Sequence, residues 1–307
     1  MAALKPSSSA LDLAFAVVIP SYNVVDTLAA QLDALTAQTW TQPWGIVVVD
    51  NNSTDGTRQL AERYEDRGVR VVEAYGGRGV SYARNTGVRA IRPQTVAFVD
   101  GDDVVHPGWV TAMAEALTQH AITSGSLEVD TLNPPWLAGS RPMGSASGLP
   151  RFGKTGFTSG CNCGMTLAVF DDLAGFDEDF VGLEDIEFSL RATARGYAIH
   201  FVPEARIAYR YRDDLASLWR QGRFYGRGRP ELNRRARELG LSAPGSVETL
   251  KSWAWLVINL PILRNRSGRF RWAWVLANRV GGIAGLIEGM RRPLRKTQRT
   301  STSPNGE

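Results

Sequence analysis

Val99-Asp100-Gly101-Asp102-Asp103 places three carboxylates within four residues at the end of an apolar run. Crowded like charges at such a position call for compensation. A hard divalent cation supplies it. Mg²⁺ or Mn²⁺ takes oxygen ligands and usually binds through one or two carboxylates plus the phosphates of its substrate, so the cluster points to a nucleotide diphosphate. The competing reading is a solvated loop whose Asp residues cap the next helix. A second acidic pair, Glu184-Asp185, falls at a helix start, where carboxylates also interact well with the helix dipole. Arg84 follows the flexible Gly76-Gly77-Arg78-Gly79, and an arginine there would neutralise diphosphate unless it is an ordinary surface helix residue. That glycine stretch lacks the spacing of a dinucleotide fingerprint. His106, His120 and His200 have no ligand spacing. Cys161 and Cys163 are too close for an unstrained disulfide and two ligands short of a zinc site, so they read as small core residues facing one way from a strand.

The elements that must position these residues are strands joined by crossover helices, the pattern of an α/β fold with a mostly parallel sheet. Phe15 to Pro20, Ile46 to Val49, Val69 to Val72 and Val96 to Val99 are short apolar strands. Between them, Val24 to Gln38 carries Val25, Leu28, Leu32 and Leu35 at helical spacing, a helix runs from the Ser53-Thr54-Asp55-Gly56 turn through Tyr64, and another spans Val80 to Ile91. Asp55 reads as a cap of that second helix and not as a ligand contact. The polar residues collect at the carboxyl ends of the strands, the rim where ligands sit in open α/β sheets. Residues 131 to 160, rich in Pro, Gly and Ser, read as a long loop able to cover a site. A strand from Gly160 to about Val169 and a helix from Glu184 to near Gly196 follow.

Five pieces recur here in a familiar order: Val18-Ile19-Pro20-Ser21-Tyr22-Asn23; Val49-Asp50-Asn51-Asn52-Ser53-Thr54-Asp55-Gly56-Thr57; Ala83-Arg84-Asn85-Thr86-Gly87; Asp100-Gly101-Asp102-Asp103; and Gly175-Phe176-Asp177-Glu178 with Glu184-Asp185. Over residues 15 to 212 the chain resembles the family 2 glycosyltransferases of the GT-A fold. The resemblance implies an inverting transfer of sugar from a nucleotide-diphosphate donor to an acceptor hydroxyl, in cell-surface polysaccharide or glycolipid assembly. It implies that Ser21, Tyr22, Asp50, Asn52, Arg84 and Asp100 hold the donor. Asp102 is then the first metal ligand, with Asp100 and Asp103 sharing metal and ribose contacts. Asp185 is the base and Glu184 orients the acceptor. Many members carry a histidine where Tyr209 stands here, so the metal's surroundings differ. A catalytically silent nucleotide-sugar binder would lose the metal or base, yet Asp102 and Asp185 are both present. A sugar nucleotidyltransferase would show a glycine-rich, lysine-bearing loop after its first strand, and Pro20-Ser21-Tyr22-Asn23 is not one.

Charge divides the chain. Residues 251–300 contain eleven Lys/Arg against Glu288 alone, leaving 24 basic and 30 acidic residues elsewhere. Trp253, Trp255, Trp272 and Trp274 lie among Arg264, Arg266, Arg269 and Arg271, a mixture suited to an anionic membrane surface, with packing on the catalytic domain as the alternative. No reading motif for nucleic acid accompanies the basic charge. No apolar run reaches the ~18 residues needed to span a bilayer, and none at the N-terminus resembles a secretory signal. The expected organisation is a disordered N-terminus (1–14), a GT-A domain (15–212, nucleotide half 15–120 and acceptor half 121–212), a helical extension (213–296) and a disordered tail (297–307). The expected location is the cytoplasm or the inner membrane face, near a lipid-linked acceptor.

Overall fold

The computed structural model describes residues 13–141, 145–180 and 182–291. The ends expected to be disordered lie outside these residues, except for Leu13 and Ala14. Those two are ordered: Leu13 is buried, and Ala14 N–H donates to the Pro43 carbonyl at 3.0 Å.

The first half alternates β1 (Phe15–Ser21), α1 (Val25–Thr36), β2 (Trp44–Asp50), α2 (Thr57–Glu62), β3 (Val69–Glu73), α3 (Val80–Ile91) and β4 (Thr95–Val99). Next come β5 (Val104–Val105), α4 (Trp109–Gln119), β6 (Ile122–Glu128), α5 (Pro135–Ala138), the hairpin β7 (Arg151–Phe152) and β8 (Thr155–Gly156), β9 (Asn162–Thr166), α6 (Leu167–Asp172), α7 (Glu184–Ala194) and β10 (Ile199–Ala208). One sheet runs β3-β2-β1-β4-β9-β6-β10-β5, parallel except that β9 and β5 run against their neighbours.

Both faces of the sheet are covered, which is why its strands are continuous apolar runs without alternating polar residues. Phe15, Val17 and Ile19 of β1 face α1 and α4, packing with Leu28, Leu32, Trp109 and Met113. Ala16 and Val18 point the other way, toward Ala83 and Val88 of α3 and Phe188 of α7. A Cβ on Gly87 would lie 2.7 Å from both Val18 Cγ1 and Val49 Cγ2, so the missing side chain lets α3 lie close on the sheet. That approach brings Arg84, one turn earlier, to the sheet's rim.

Several boundaries differ from expectation. The second helix stops at Glu62, followed by a 3-10 turn at Glu65–Arg67 that Gly68 closes at φ 85°. The strand after Gly160 ends at Thr166, whose Oγ1 accepts from Val169 N–H at 3.3 Å and so caps a helix where more strand was expected. Cys161 and Cys163 do not face one way. Cys161 precedes the strand, beside an isolated bridge between Ser159 and Asn162, and packs on the α1/α4 side, whereas Cys163 packs on the α3/α7 side. The 131–160 stretch is only partly irregular, since α5 and the β7–β8 hairpin lie within it.

The remainder is helical: α8 (Leu215–Glu238), α9 (Ser246–Ile258) and α10 (Arg266–Arg291). α8 and α10 lie backbone to backbone and run in the same direction. A Cβ on Gly226 would collide with the Asn278 carbonyl oxygen, and one on Gly281 or Gly285 with the carbonyls of Arg223 and Arg227. The tryptophans of this region are half-buried: Trp272 Nε1 donates to the Leu256 carbonyl at 2.9 Å, and Arg271 covers the ring of Trp255. Aliphatic residues face outward instead, among them Leu250, Val257, Ile258, Leu260, Leu286 and Met290. No helix among the described residues is long and apolar enough to cross a membrane.

Candidate active site

The expected donor residues gather on the carboxyl rim of the first four strands. Ser21 and Asp50 are the last residues of β1 and β2, and Asp100 follows β4 directly. Asp50 is fully buried; its Oδ2 accepts from Tyr75 Oη at 2.9 Å, while Oδ1 has no partner. A buried acceptor without a donor is costly unless a ligand fills the need. Ser21 is buried and Tyr22 lies open at 61% exposure. Asn52 sits on the turn beyond β2 at φ 66°. Asp55 caps, as its position implied: Oδ1 accepts from Thr57 N–H at 2.9 Å and Oδ2 from Val25 N–H at 3.1 Å, tying the starts of α1 and α2 together.

The acidic cluster divides by partner. Asp103 is 1% exposed; its Oδ1 accepts from Arg210 N–H at 2.8 Å, and its Oδ2 is buried without a partner. Burial, reinforced by the charges of Asp102 and Asp100, raises its carboxyl well above the ordinary range. Burial likewise pushes Asp100 up to about 6, against the pull of Arg84. Ligand atoms of Asp100, Asp103 and Cys161 lie within 4.8 Å of one another. Asp102, by contrast, is paired with Arg212 Nη1 at 2.8 Å, and its carbonyl accepts from Arg210 Nε at 3.0 Å. Two carboxylates, one with an orphaned buried oxygen, fit a hard divalent cation. The Cys161 thiol, held protonated by burial, borders this space without being a natural ligand for such an ion.

Arg84 is not a surface arginine. It is 2% exposed, and its Nη1 reaches Glu184 Oε1 at 2.8 Å while Nη2 reaches the Gly160 carbonyl at 3.0 Å and Asp100 Oδ1 at 3.4 Å. It therefore joins the cluster to the Glu184-Asp185 pair. Asp185 Oδ2 accepts from Gly160 N–H at 3.0 Å and Oδ1 from Ile186 N–H at 2.8 Å. Burial, then the neighbouring Glu184 charge, pushes Asp185 up to about 6, opposed by the Gly160 hydrogen bond. A carboxylate in that range accepts and releases protons near neutral pH.

Tyr209 does occupy the position by the cluster. Burial holds its phenol neutral, reinforced by the nearby Tyr225, Cys161, Asp103 and Asp102. The histidines lie elsewhere: His106 Nε2 pairs with Glu128 Oε1 at 3.0 Å, and His120 stacks on His200 at 3.7 Å. Sequence reasoning missed Tyr75, Asn51, Arg210 and Arg212. Asn51 stood inside a quoted motif, and its side chain pins the 74–79 loop by donating to the Ala74 and Gly77 carbonyls and accepting from Gly79 N–H. Arg212 was one of many arginines in its stretch, and only the folded return of β10 beside the cluster singles it out.

Mannosyltransferase PcManGT from Pyrobaculum calidifontis, in complex with GDP-Man and Mn²⁺, superposes with a TM-score of 0.58 over 91% of this chain and 90% of that one, at 19% identity. The shared fold is GT-A. Glycosyltransferase AglE of Haloferax volcanii is 26% identical over 194 residues, which is 60% of this chain and 63% of that protein. WfgD of Escherichia coli, a UDP-Glc:alpha-D-GlcNAc-diphosphoundecaprenol beta-1,3-glucosyltransferase, is 29% identical over 93 residues, 30% of this chain and 36% of that one. The chain thus matches less than two thirds of the length of either relative. Residues 16–174 match the sequence pattern described as Glycosyl transferase family 2, and that span contains Asp50, Arg84 and the whole acidic cluster. With more than half its length inside that pattern, the chain belongs to glycosyl transferase family 2.

Proposed function

We propose that this protein transfers a sugar, with inversion, from a nucleotide-diphosphate donor to an acceptor hydroxyl, with Asp185 as the base. The observation that carries the reading is the chain of contacts from Asp100 through Arg84 and Gly160 to Glu184 and Asp185. It fixes a carboxylate tuned to about 6 relative to the donor rim. Asp50 Oδ1 receives a donor base N–H, Ser21, Tyr22 and Asn52 border the nucleotide, and Asp100 takes the ribose side. Asp185 accepts the acceptor's proton as its hydroxyl attacks the anomeric carbon. Glu184, held by Arg84, keeps the loop beneath Asp185 in place and orients the acceptor. Asp100 and Asp103 would hold Mg²⁺ or Mn²⁺, joined by Asp102 once Arg212 releases it. A bound divalent cation supplies Lewis-acid stabilisation of charge on the leaving diphosphate. Arg212, which pairs with Asp102 beside the cluster, would then supply a further cation for the same phosphates.

WfgD's name specifies a diphosphoundecaprenol acceptor, which supports a lipid-linked acceptor and work in polysaccharide or glycolipid assembly here. The exposed aliphatic residues of α9 and α10, beside Arg264, Arg266 and Arg269, support peripheral attachment to an anionic inner membrane face. The test is a panel of nucleotide sugars assayed for release of free nucleoside diphosphate with Mn²⁺ or Mg²⁺. At least one donor turns over, Asp102→Ala lowers that turnover sharply, and Asp185→Asn lowers it by about 10²–10⁴-fold. If no donor binds or turns over in the wild type, the reading fails.

A further inference from the structure

Asn85 follows Arg84 on α3 and, like it, is buried, at 1% exposure. Its side-chain amide pairs with the backbone of Phe176, 91 residues further on: Oδ1 accepts from Phe176 N–H at 2.9 Å, and Nδ2 donates to the Phe176 carbonyl at 2.8 Å. Nδ2 also donates to Glu178 Oε1 at 2.8 Å. A carboxamide presents one acceptor and two N–H donors in a plane, and here all of them are engaged. The turn it grips is tight. Gly175 lies at φ 71°, and a Cβ there would stand 2.5 Å from Asn85 Oδ1.

That turn begins the segment which delivers Asp185. Asn85 holds the segment at Phe176 and Glu178, and Arg84 holds its far end at Glu184. Adjacent residues of one helix thus fix both ends of residues 176–184. Other elements brace the start: Arg235 of α8 pairs with Asp177 at 2.9 Å, Arg191 of α7 donates to the Gly175 carbonyl at 2.9 Å, and the Phe176 ring packs on Phe98 and Phe188. The far end needs such restraint. Leu183, directly before α7, sits at φ 63°, a left-handed conformation that is costly for a branched side chain. With one end of the segment released, that residue relaxes and carries the first turn of α7 with it.

We propose that Asn85 is a positioning residue for the transfer reaction: by pinning Phe176 and Glu178 it fixes where the Asp185 carboxylate stands relative to the donor rim. The proposal rests on the transfer reading given above. Among the described residues, the side-chain hydrogen bonds of Asn85 go to this turn alone. Its influence on the reaction therefore runs through residues 176–184. Arg84 differs, because its guanidinium meets Asp100 as well. A reacting group displaced by about 1 Å loses on the order of 10²-fold in rate, while a donor site built on other strands stays in place.

The test compares full-length wild type with Asn85→Leu, Glu178→Ala and Glu178→Gln. Turnover is expressed per molecule competent to bind nucleoside diphosphate with Mn²⁺, as counted by calorimetry, so that misfolded protein does not enter. In Asn85→Leu, which removes all three hydrogen bonds at similar size, kcat falls about 10- to 100-fold while donor KM and nucleoside diphosphate affinity hold. Glu178→Ala removes one bond at a side chain 37% exposed, and kcat falls less, by about 3- to 10-fold. Glu178→Gln keeps an acceptor for Asn85 Nδ2 and recovers that loss, although it too breaks the pair with Arg89. An asparagine that only stabilised the fold would lower Tm without this split between kcat and KM. Amide hydrogen exchange over residues 184–188 reads the position of α7 without turnover, and it quickens in Asn85→Leu and in Glu178→Ala. If Asn85→Leu does not fold, Glu178→Ala and Glu178→Gln carry the same comparison. The proposal is overturned if the folded variants keep wild-type kcat, if donor KM rises as kcat falls, or if exchange over 184–188 is unaltered. A wild type that turns over no donor sinks the transfer reading instead, and the exchange measurement then decides by itself whether Asn85 holds the segment.

Discussion

Asp185 gains its proposed role from being buried beside Glu184, not from being an aspartate at a helix start. Asp185→Asn keeps the side chain's shape and one of its two backbone N–H contacts but removes the base, so turnover falls by about 10²–10⁴-fold while nucleoside diphosphate affinity holds. A loss confined to binding would assign Asp185 to the donor instead. Its elevated value also fixes a pH dependence. Below about 6 the carboxyl is protonated and cannot accept, so the acid limb of kcat lies near 6, where an ordinary aspartate would put it near ~3.9. The stability sign is opposite: the folded state binds this proton more tightly than the unfolded chain, so this group's contribution falls as pH rises from ~4 through about 6. Arg84→Met leaves Glu184 and Asp100 facing each other without a cation. The loss is about 3 kcal/mol, the low end for a broken buried pair because Asp100 is 36% exposed, and urea unfolding measures it. The sequence made Asp50, Asp100 and Asp185 legible because their types and order are informative. It hid Tyr75 and Arg212, whose meaning lies in which group they meet across long sequence separations.

Strands and first-half helices were legible because their apolar runs and turn residues agree, as with the run from Ile46 to Val49 that ends in Asp50 at β2. The ends were less so: Thr166 converts an apolar strand into a helix through one capping hydroxyl, a contact that hydrophobic pattern does not register. The α8–α10 seam was also hidden, since its glycines are scattered and only their mates across the helix pair give them purpose. Gly226→Leu forces a side chain into the Asn278 backbone, which even an ideal Cβ would overlap. An overpacked contact costs about 1–3 kcal/mol. Here the obstacle is backbone, so the upper end is expected, seen as a lowered Tm and earlier proteolysis of α10. An unchanged Tm would mean the two helices are not held together at that point.

At the scale of the molecule, a basic, aliphatic face lies on the C-terminal helices while the acidic cleft belongs to the sheet. Deleting those helices is a poor test of membrane attachment, because Trp274 and the glycine seam belong to the interior. The sharper experiment is the triple change Ile258→Glu, Leu260→Glu and Met290→Glu, all at exposed positions. Flotation with anionic vesicles is lost and turnover of a soluble acceptor is retained; unaltered flotation would remove these residues from any membrane contact. The seam bears on synthesis as well. α8 ends at residue 238 and α10 at residue 291, so at roughly 5–20 residues per second the groove on α8 waits about 3–10 s for its mate. During that interval a nascent chain shows the bare glycine track of α8. Ribosome-bound chains halted before α10 therefore carry every strand of the sheet while the glycine face of α8 is still uncovered.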